Sequence, residues 1–329
     1  MTEAKKSLAL GNTRQVSVFA PASVGNVGVG FDVLGHALQG VGDTVTVERS
    51  DEPGVRVASI TGIVTALPSD PAKNTAAAAV MAMVEGLGLE AGFDIHIHKG
   101  IPLGSGLGGS AASAAAAVFA INQMLKIPVQ LIDLYPYALQ GEMAASGSEH
   151  GDNVAASLLG GLTLVGAAGY RRPVQIPVPN RLRCVVVHPA IEIETRDSRE
   201  ALPKTFKRQT VVDQMANLSA FIAGCFQRDI DLIGASLKDL LVERGRAKTI
   251  PGFAKAKKAA LEAGALGCSI SGSGPSVFAW FQSESAAATG GEAMARVFAD
   301  EGFETQTISS PVGSPGARAL TLPPPGSGS

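Results

Sequence analysis

Residues 101–117 read IPLGSGLGGSAASAAAA. Glycines at 104, 106, 108 and 109 crowd one short turn, and Ser110 then opens an alanine-rich run that reaches Leu125. Glycine tolerates positive φ and carries no Cβ, so such a backbone can turn its N–H groups inward around an anion. A helix starting immediately afterwards adds unpaired N–H groups and a positive dipole end. Ser110 suits the N-cap, and the alanines behind it are the strongest intrinsic helix formers. Phe93–Lys99 alternates ahead of the turn as a strand. The stretch therefore predicts a phosphate cradle between a strand and a helix, in an α/β fold. It is no Walker A loop, because no Gly-Lys-Ser/Thr follows. Gly104, Gly106 and Gly109 do satisfy G-x-G-x-x-G, but a dinucleotide fingerprint belongs in a compact βαβ unit, and this one lies deep in the chain behind Pro102. A glycine-rich turn ahead of a buried alanine helix is the plainer alternative.

Upstream, Gln15–Ala20 alternates as a strand ending at Pro21. Residues 21–38, PASVGNVGVGFDVLGHAL, form a glycine-rich loop that also holds Asn26 and Asp32. Those two either cap the backbone of a long turn or stand in a pocket where backbone approaches a ligand. Asp43–Glu48 reads as a second strand, with a short ribbon over Val55–Ser59. Asn74–Gly86 reads as a helix with Asn74 as N-cap and its methionines in the core. His96 and His98 share one face of their strand; with no third ligand nearby they read as satisfied polar side chains. Leu131–Ala145 reads as a helix carrying Glu142. The next stretch, residues 146–155 (SGSEHGDNVA), gathers His150, Asp152 and Asn153 just ahead of apolar segments. That suits a solvated loop or a polar group set held near the core.

Tyr170–Asn180 is proline-rich and charged and marks the expected domain boundary. Leu182–His188 is β-prone, and Arg199 falls on a helix predicted within Glu194–Pro203. Val211–Gln227, Asp229–Arg244 and Phe253–Ala263 read as further helices. Residues 267–280 (GCSISGSGPSVFAW) form a third glycine–serine loop running into a strand, with Gly272, Ser273 and Gly274 exceeding what a plain turn requires. Met1–Asn12 reads as a loose leader and residues 321–329 as a disordered tail.

With 329 residues, 46% hydrophobic and 17% charged, the chain has material for two globular domains. Its 27 basic and 29 acidic residues give a net charge of −2, which excludes a strongly basic footprint and so predicts no nucleic-acid or membrane partner. Cys184, Cys225 and Cys268 are scattered among apolar or small residues, as buried reduced thiols in a cytoplasmic protein would be. No apolar run reaches the ~18 residues that a spanning helix needs.

Residues 102–111 resemble the second motif of the GHMP small-molecule kinases, P-x-x-x-G-L-G-S-S-A, with Gly109 in place of the first serine. Residues 21–35 are similar to the first motif of the homoserine kinase branch, P-A-S-x-x-N-x-G-x-G-F-D-x-L-G. Glu142 and residues 150–153 match its E-x7-H-x-D-N pattern, residues 267–280 look like the third GHMP motif, and residues 243–253 resemble E-P-x-R-x-x-x-I-P-G-F, with Arg244 in place of proline. The likeness runs from about Gln15 to Leu320. It implies a two-domain fold: an N-terminal α/β domain over residues 13–168 with the phosphate loop, and a ferredoxin-like domain over residues 169–320. It further implies ATP-dependent phosphorylation of the L-homoserine hydroxyl, with threonine biosynthesis as its setting. ATP would lie along Asn74, Lys99, Pro102, Leu103, Gly104, Ser105, Gly106, Leu107, Gly108, Gly109, Ser110, Ala111 and Ala112, with Gly272, Ser273 and Gly274 beside them. By the same resemblance Ser110 and Glu142 would hold Mg²⁺, while Asp32, His150, Asp152, Arg199 and Arg246 would bind the amino-acid substrate. Asp32, Asn26 and Asn153 are the expected catalytic group. A GHMP kinase for mevalonate or a sugar, and a non-catalytic sensor on the same fold, stay as alternatives, and a homodimer is left open.

Overall fold

The computed structural model describes residues 9–146, 151–166, 172–193, 195–200 and 202–321. Two sheets organise them. The first contains β1 (Gln15–Gly25), β2 (Leu34–Ser50), β3 (Val55–Gly62), β4 (Gly92–Lys99), β5 (Leu162–Leu164), β6 (Val174–Ile176) and, from the end of the chain, β11 (Arg318–Leu320). Its main path runs β11-β1-β2-β4-β3, with β5 pairing β2 and β6. All pairings are antiparallel except β3 with β4, which is parallel. The boundary expected after residue 168 therefore falls between two paired strands, and β11 returns to complete the same sheet.

β1 does not stop at Pro21. The register shifts between Pro21 and Ser23, an irregularity where a missing N–H is tolerated, and pairing resumes to Gly25 opposite Gly35. Four helices cover the sheet: α1 (Thr75–Leu87), α2 (Gly109–Met124), α3 (Tyr135–Ser146) and α4 (Gly151–Leu159). In α2 nearly every residue from Ala111 to Ile121 is buried. Alanine is what the geometry demands there, because the helix is pressed between β1 and β2 on one side and α1 and α3 on the other. Side chains of methyl size let four neighbours approach one helix. Asp152 and Asn153, expected in a loop, stand in the first turn of α4. Residues 9–11, expected to be loose, are tied to the end of α2: the Gly11 N–H donates to the Met124 carbonyl at 2.7 Å and Lys126 to Ala9 at 2.8 Å. The remaining leader, most of the tail and His150 lie outside the described residues.

The second sheet holds β7 (Arg183–Pro189), β8 (Gly267–Ile270), β9 (Val277–Phe281) and β10 (Thr305–Pro311) in the order β10-β7-β9-β8, all antiparallel. Between β7 and β8 come α5 (Thr195–Glu200), α6 (Arg208–Gln227), α7 (Ile230–Ser236), α8 (Glu243–Arg246) and α9 (Phe253–Glu262); α10 (Glu284–Asp300) joins β9 to β10. This order and connectivity is the ferredoxin-like plan that the resemblance implies. The helix expected over Asp229–Arg244 is broken in two. Asp239 is the cause: its carboxylate accepts the N–H groups of Leu241, Val242 and Glu243 at 2.7–3.0 Å, competing with helix continuation.

Alternation along β7 and β9 divides the core. Val185, Val187, Val277, Ala279 and Phe281 pack with α9 and α10, whereas Cys184, Val186, Phe278 and Trp280 join the core of the first sheet. The two sheets thus share one apolar interior, and the cleft described next opens along their seam. The three cysteines are buried free thiols. His96 and His98 bond Ser59 and Thr61 across β3, the satisfied polar face expected of them. No helix among the described residues is long and apolar enough to cross a membrane.

Candidate active site

A cleft of about 960 Å³ lies over the glycine turn between β4 and α2. Gly104, Gly106 and Gly108 have φ of 57°, 74° and 68°, the left-handed region that favours glycine. A methyl at Gly106 would run into the Ser271 carbonyl, and one at Gly108 into the side chains of Ser23 and Asn153. The third glycine–serine loop is therefore packed directly on the second: Ser271 Oγ donates to the Gly106 carbonyl at 2.7 Å and the Ser276 N–H to Ser105 at 3.3 Å. Gly108, not Ser110, is the N-cap of α2, in a left-handed conformation that offers no capping side chain. The first N–H groups of the helix therefore face the cleft uncapped, as an anion site requires.

Other residues expected along ATP divide into those at the cleft and those behind it. Asn74, Pro102, Leu103, Ser105, Leu107, Gly109, Ser110, Gly272 and Ser273 line it; Ala111, Ala112 and Gly274 do not. Ala111 and Ala112 are buried in the core, and Gly274 sits against Ile250 and Ile270. Asn74 caps α1, accepting from Ala76 and Ala77, while standing at the cleft wall. Lys99 borders the cleft, but its ammonium is used internally. It pairs with Asp43 and donates to the Gly109 carbonyl at 2.8 Å and to Ser113 at 3.1 Å. Its three protons brace the loop from beneath rather than reaching a phosphate.

Glu142 reaches the cleft from α3 and Ser110 from the first turn of α2, and the two are hydrogen-bonded. Burial pushes the Glu142 carboxyl up to about 7, against the Ser110 hydrogen bond and with added repulsion from Asp152. A carboxylate and a hydroxyl at the mouth of a phosphate loop are hard oxygen donors, a set that fits Mg²⁺. Asp152, 2% exposed, accepts the Asn26 N–H at 2.9 Å. Burial, together with the nearby Asp32, raises its carboxyl to about 6. α4 approaches this closely because its neighbours are glycines: a Cβ at Gly35 would overlap the Asp152 carbonyl, and one at Gly25 would crowd the side chains of Asp152 and Asn153.

The loop after β1 is strained. Asn26, Val27 and Asp32 have φ of 66°, 44° and 57°, and for β-branched Val27 that is a costly conformation held only by its surroundings. The Asn26 side chain holds it: Nδ2 donates to the Gly272 carbonyl at 3.0 Å and Oδ1 accepts the Asp32 N–H at 3.0 Å. Asn26 thus ties the first glycine loop to the third. Asn153 is similarly engaged, accepting from Ser23 Oγ at 2.9 Å. Asp32 itself takes both oxygens to Arg199, at 3.0 and 2.9 Å. Arg246, 3% exposed, donates through Nη1 to Gly272 at 2.6 Å, and burial lowers its guanidinium below the ordinary value. Its Nε is buried with no hydrogen-bond partner among the described residues. Both guanidinium groups lie over the Phe31 ring, 5.8 Å (Arg199) and 5.3 Å (Arg246) from its centre.

Sequence reasoning missed Asp43, Phe31 and Gln214. Gln214, on the inner face of α6, donates to the Val29 carbonyl at 2.5 Å and accepts the Leu240 N–H at 2.9 Å, joining the strained loop to the segment before Arg246. Asp43 carried a legible signal: it shares the strand phase of Val45 and Val47, so an acid was directed into the core. Arg244, the departure from the proline pattern, is exposed in the first turn of α8.

Family models describe two parts of the chain: GHMP kinases N terminal domain over residues 74–161 and GHMP kinases C terminal over residues 219–300. A homoserine kinase of Xanthomonas campestris pv. campestris is 51% identical over 307 residues, covering 93% of this chain and 94% of its own. One from Chlorobium phaeobacteroides is 42% identical over 319 residues, covering 93% and 100%. The crystal structure of homoserine kinase from Cytophaga hutchinsonii superposes with a TM-score of 0.91 at 45% identity, over 94% of this chain and 98% of that one. Glycine cradle, α/β-plus-ferredoxin-like fold and full-length likeness agree, and the chain belongs to the homoserine kinase family of the GHMP kinases.

Proposed function

We propose that the cleft transfers the γ-phosphoryl group of ATP to the side-chain hydroxyl of L-homoserine, giving O-phospho-L-homoserine. The observation that carries this reading is the pairing of two kinds of chemistry in one cleft. Glycine backbone and an uncapped helix N-terminus suit a polyphosphate. Two guanidinium groups and two carboxylates, Arg199, Arg246, Asp32 and Asp152, line the same cleft and suit a zwitterion. Mevalonate, a carboxylate without an ammonium, would leave the acidic set without a partner, and a neutral sugar would leave both.

Phosphoryl transfer calls mainly for alignment and charge neutralisation. Ser110 and Glu142 would hold Mg²⁺, which when bound screens the phosphate oxygens. Arg246 and Arg199 would take the substrate carboxylate, and Asp32 and Asp152 its ammonium. Asp32 and Arg199 neutralise each other in the free enzyme, so homoserine would exchange one ion pair for two of the same kind. His150, which lies outside the described residues, is proposed as a further substrate ligand on the family motif alone. Asn26 and Asn153 would act by fixing loop geometry, since their amides are already engaged. The test is ADP release with Mg-ATP and L-homoserine, mevalonate or galactose. Turnover is expected with homoserine alone. Glu142→Ala should reduce kcat by about a thousand-fold and Arg246→Ala should raise the homoserine KM by about tenfold or more. Turnover of mevalonate or galactose in preference to homoserine would overturn the reading.

A further inference from the structure

Asp32 and Arg246 are carried by two separate, internally rigid pieces of chain. One piece is the strained loop after β1. Its Asn26 accepts the Gly30 N–H on the backbone carbonyl at 2.8 Å and the Asp32 N–H on Oδ1 at 3.0 Å. The other is the segment that leads into α8. Asp239 gathers the N–H groups of Leu241, Val242 and Glu243 there, and the Arg246 N–H donates to the Val242 carbonyl at 3.1 Å. At the cleft the two pieces meet on one atom: the Gly272 carbonyl accepts from Asn26 Nδ2 at 3.0 Å and from Arg246 Nη1 at 2.6 Å. The Phe31 ring touches the same guanidinium, and contacts at one end alone leave two bodies free to pivot. Gln214 supplies a second attachment, donating to the Val29 carbonyl at 2.5 Å and accepting the Leu240 N–H at 2.9 Å. We propose that Gln214 is a positioning residue that sets the separation between Asp32 and Arg246, matching the cleft to the spacing of the two charges of an amino-acid alcohol.

The chemistry of the amide carries the argument. The Val29 carbonyl only accepts and the Leu240 N–H only donates, so Nε2 must face the loop and Oε1 the segment before α8. An apolar side chain of the same length would fill the space but leave both backbone groups without these partners. An amide one carbon shorter would not span them. Gln214 is 5% exposed and shares the inner face of α6 with Phe221, Gly224 and Cys225, so its anchor is the packed core and moves with neither piece. It does not line the cleft and acts through Val29 and Leu240. The inference rests on the reading of the cleft as a site for a zwitterion. When Asp32 and Arg246 are held at a fixed distance, the second charge of the substrate engages without further ordering of the site. An alcohol with a single charge gains nothing from that distance.

Steady-state kinetics of the full chain at saturating Mg-ATP tests this with L-homoserine, γ-hydroxybutyrate, which keeps only the carboxylate, and 3-aminopropanol, which keeps only the ammonium. In Gln214→Met, kcat/KM for homoserine should fall about thirty-fold, with the loss in KM. For the two single-charge alcohols kcat/KM should change by less than about threefold, and the ATP KM by less than about twofold, because neither depends on the set distance. Gln214→Asn keeps a polar side chain in place, is the milder change for folding, and should show the same pattern. Equal losses on all three acceptors would make Gln214 a packing residue, and an unchanged homoserine KM would leave it no role; either result overturns the proposal. A wild type that prefers one of the single-charge alcohols would instead sink the zwitterion reading, and this inference with it.

Discussion

Asp43 is fully buried, yet every oxygen lone pair it offers is used. Oδ1 accepts the N–H groups of Gly100 and Ile101 at 3.0 and 3.3 Å, and Oδ2 takes Ser113 at 2.7 Å and the Lys99 ammonium. One carboxylate thus holds the entrance of the phosphate loop, and through Lys99 the Gly109 carbonyl at its exit. Removing one partner of a buried pair leaves a charge without compensation, which costs about 3–5 kcal/mol. Asp43→Asn should lower stability by that order and raise the ATP KM while leaving the homoserine KM nearly unchanged. Adding Lys99→Met removes both charges and should recover much of the stability, since apolar replacement of a buried pair is often neutral. The ATP KM should stay raised, because Gly109 has now also lost its Lys99 donor. Denaturant unfolding and separate saturation curves for the two substrates distinguish these outcomes; equal effects on both KM values would contradict the role given to Asp43.

At the scale of elements, the site is three glycine loops held in contact, and Gly106 is where two of them touch. A side chain there meets both a positive φ of 74° and the Ser271 carbonyl. Gly106→Ala should therefore cost about 1 kcal/mol for the backbone conformation alone. Displacing the third loop should raise the ATP KM at least about tenfold. Gly40→Ala, with a φ of 87° but open space around it, shares the first cost and should leave that KM unchanged, as ATP saturation curves of the two variants would show. The sequence displayed these loops separately, through glycine density at residues 25–35, 104–109 and 272–274. Their mutual packing was not legible, because glycine records permission for close approach without naming the partner. Helices and strands with clean periodicity, α1 and β4 above all, were read nearly to the residue. Errors came where a side chain overrode the local pattern: Asp239 breaking a helix, an irregular β1 tolerating Pro21, and α4 starting inside an apparently polar loop. The ion pair of Asp32 with Arg199 joins positions 167 residues apart, and no local spacing could have shown it.

For the whole molecule, the seam between the two sheets decides whether the cleft keeps its shape, and a buried polar bond crosses it. Trp280 Nε1, on β9, donates to His36 Nε2, on β2, at 3.2 Å, while His36 Nδ1 meets the Ala37 carbonyl at 3.1 Å. That fixes the neutral tautomer with its proton on Nδ1. The ring is fully buried, and desolvation pulls its pKa from 6.5 to about 4 despite the backbone carbonyl. In the unfolded chain the imidazole protonates near its ordinary value, so between these two pH values the unfolded state binds more protons. The contribution is thus fully present above about pH 6.5, declines as pH falls through about 4, and amounts to about 3 kcal/mol. Buried carboxylates oppose it. Glu142 and Asp152 have raised values and so favour the folded state as pH falls through the same region. The His36 contribution is consequently read as a difference. His36→Gln keeps an acceptor for the Trp280 indole and cannot protonate. Denaturant unfolding of both proteins from pH 7.5 to 4.5 should show the wild type losing stability relative to His36→Gln by about 2–3 kcal/mol, nearly all of it below pH 6.5. Parallel stability curves would mean that the histidine is not held neutral at the seam.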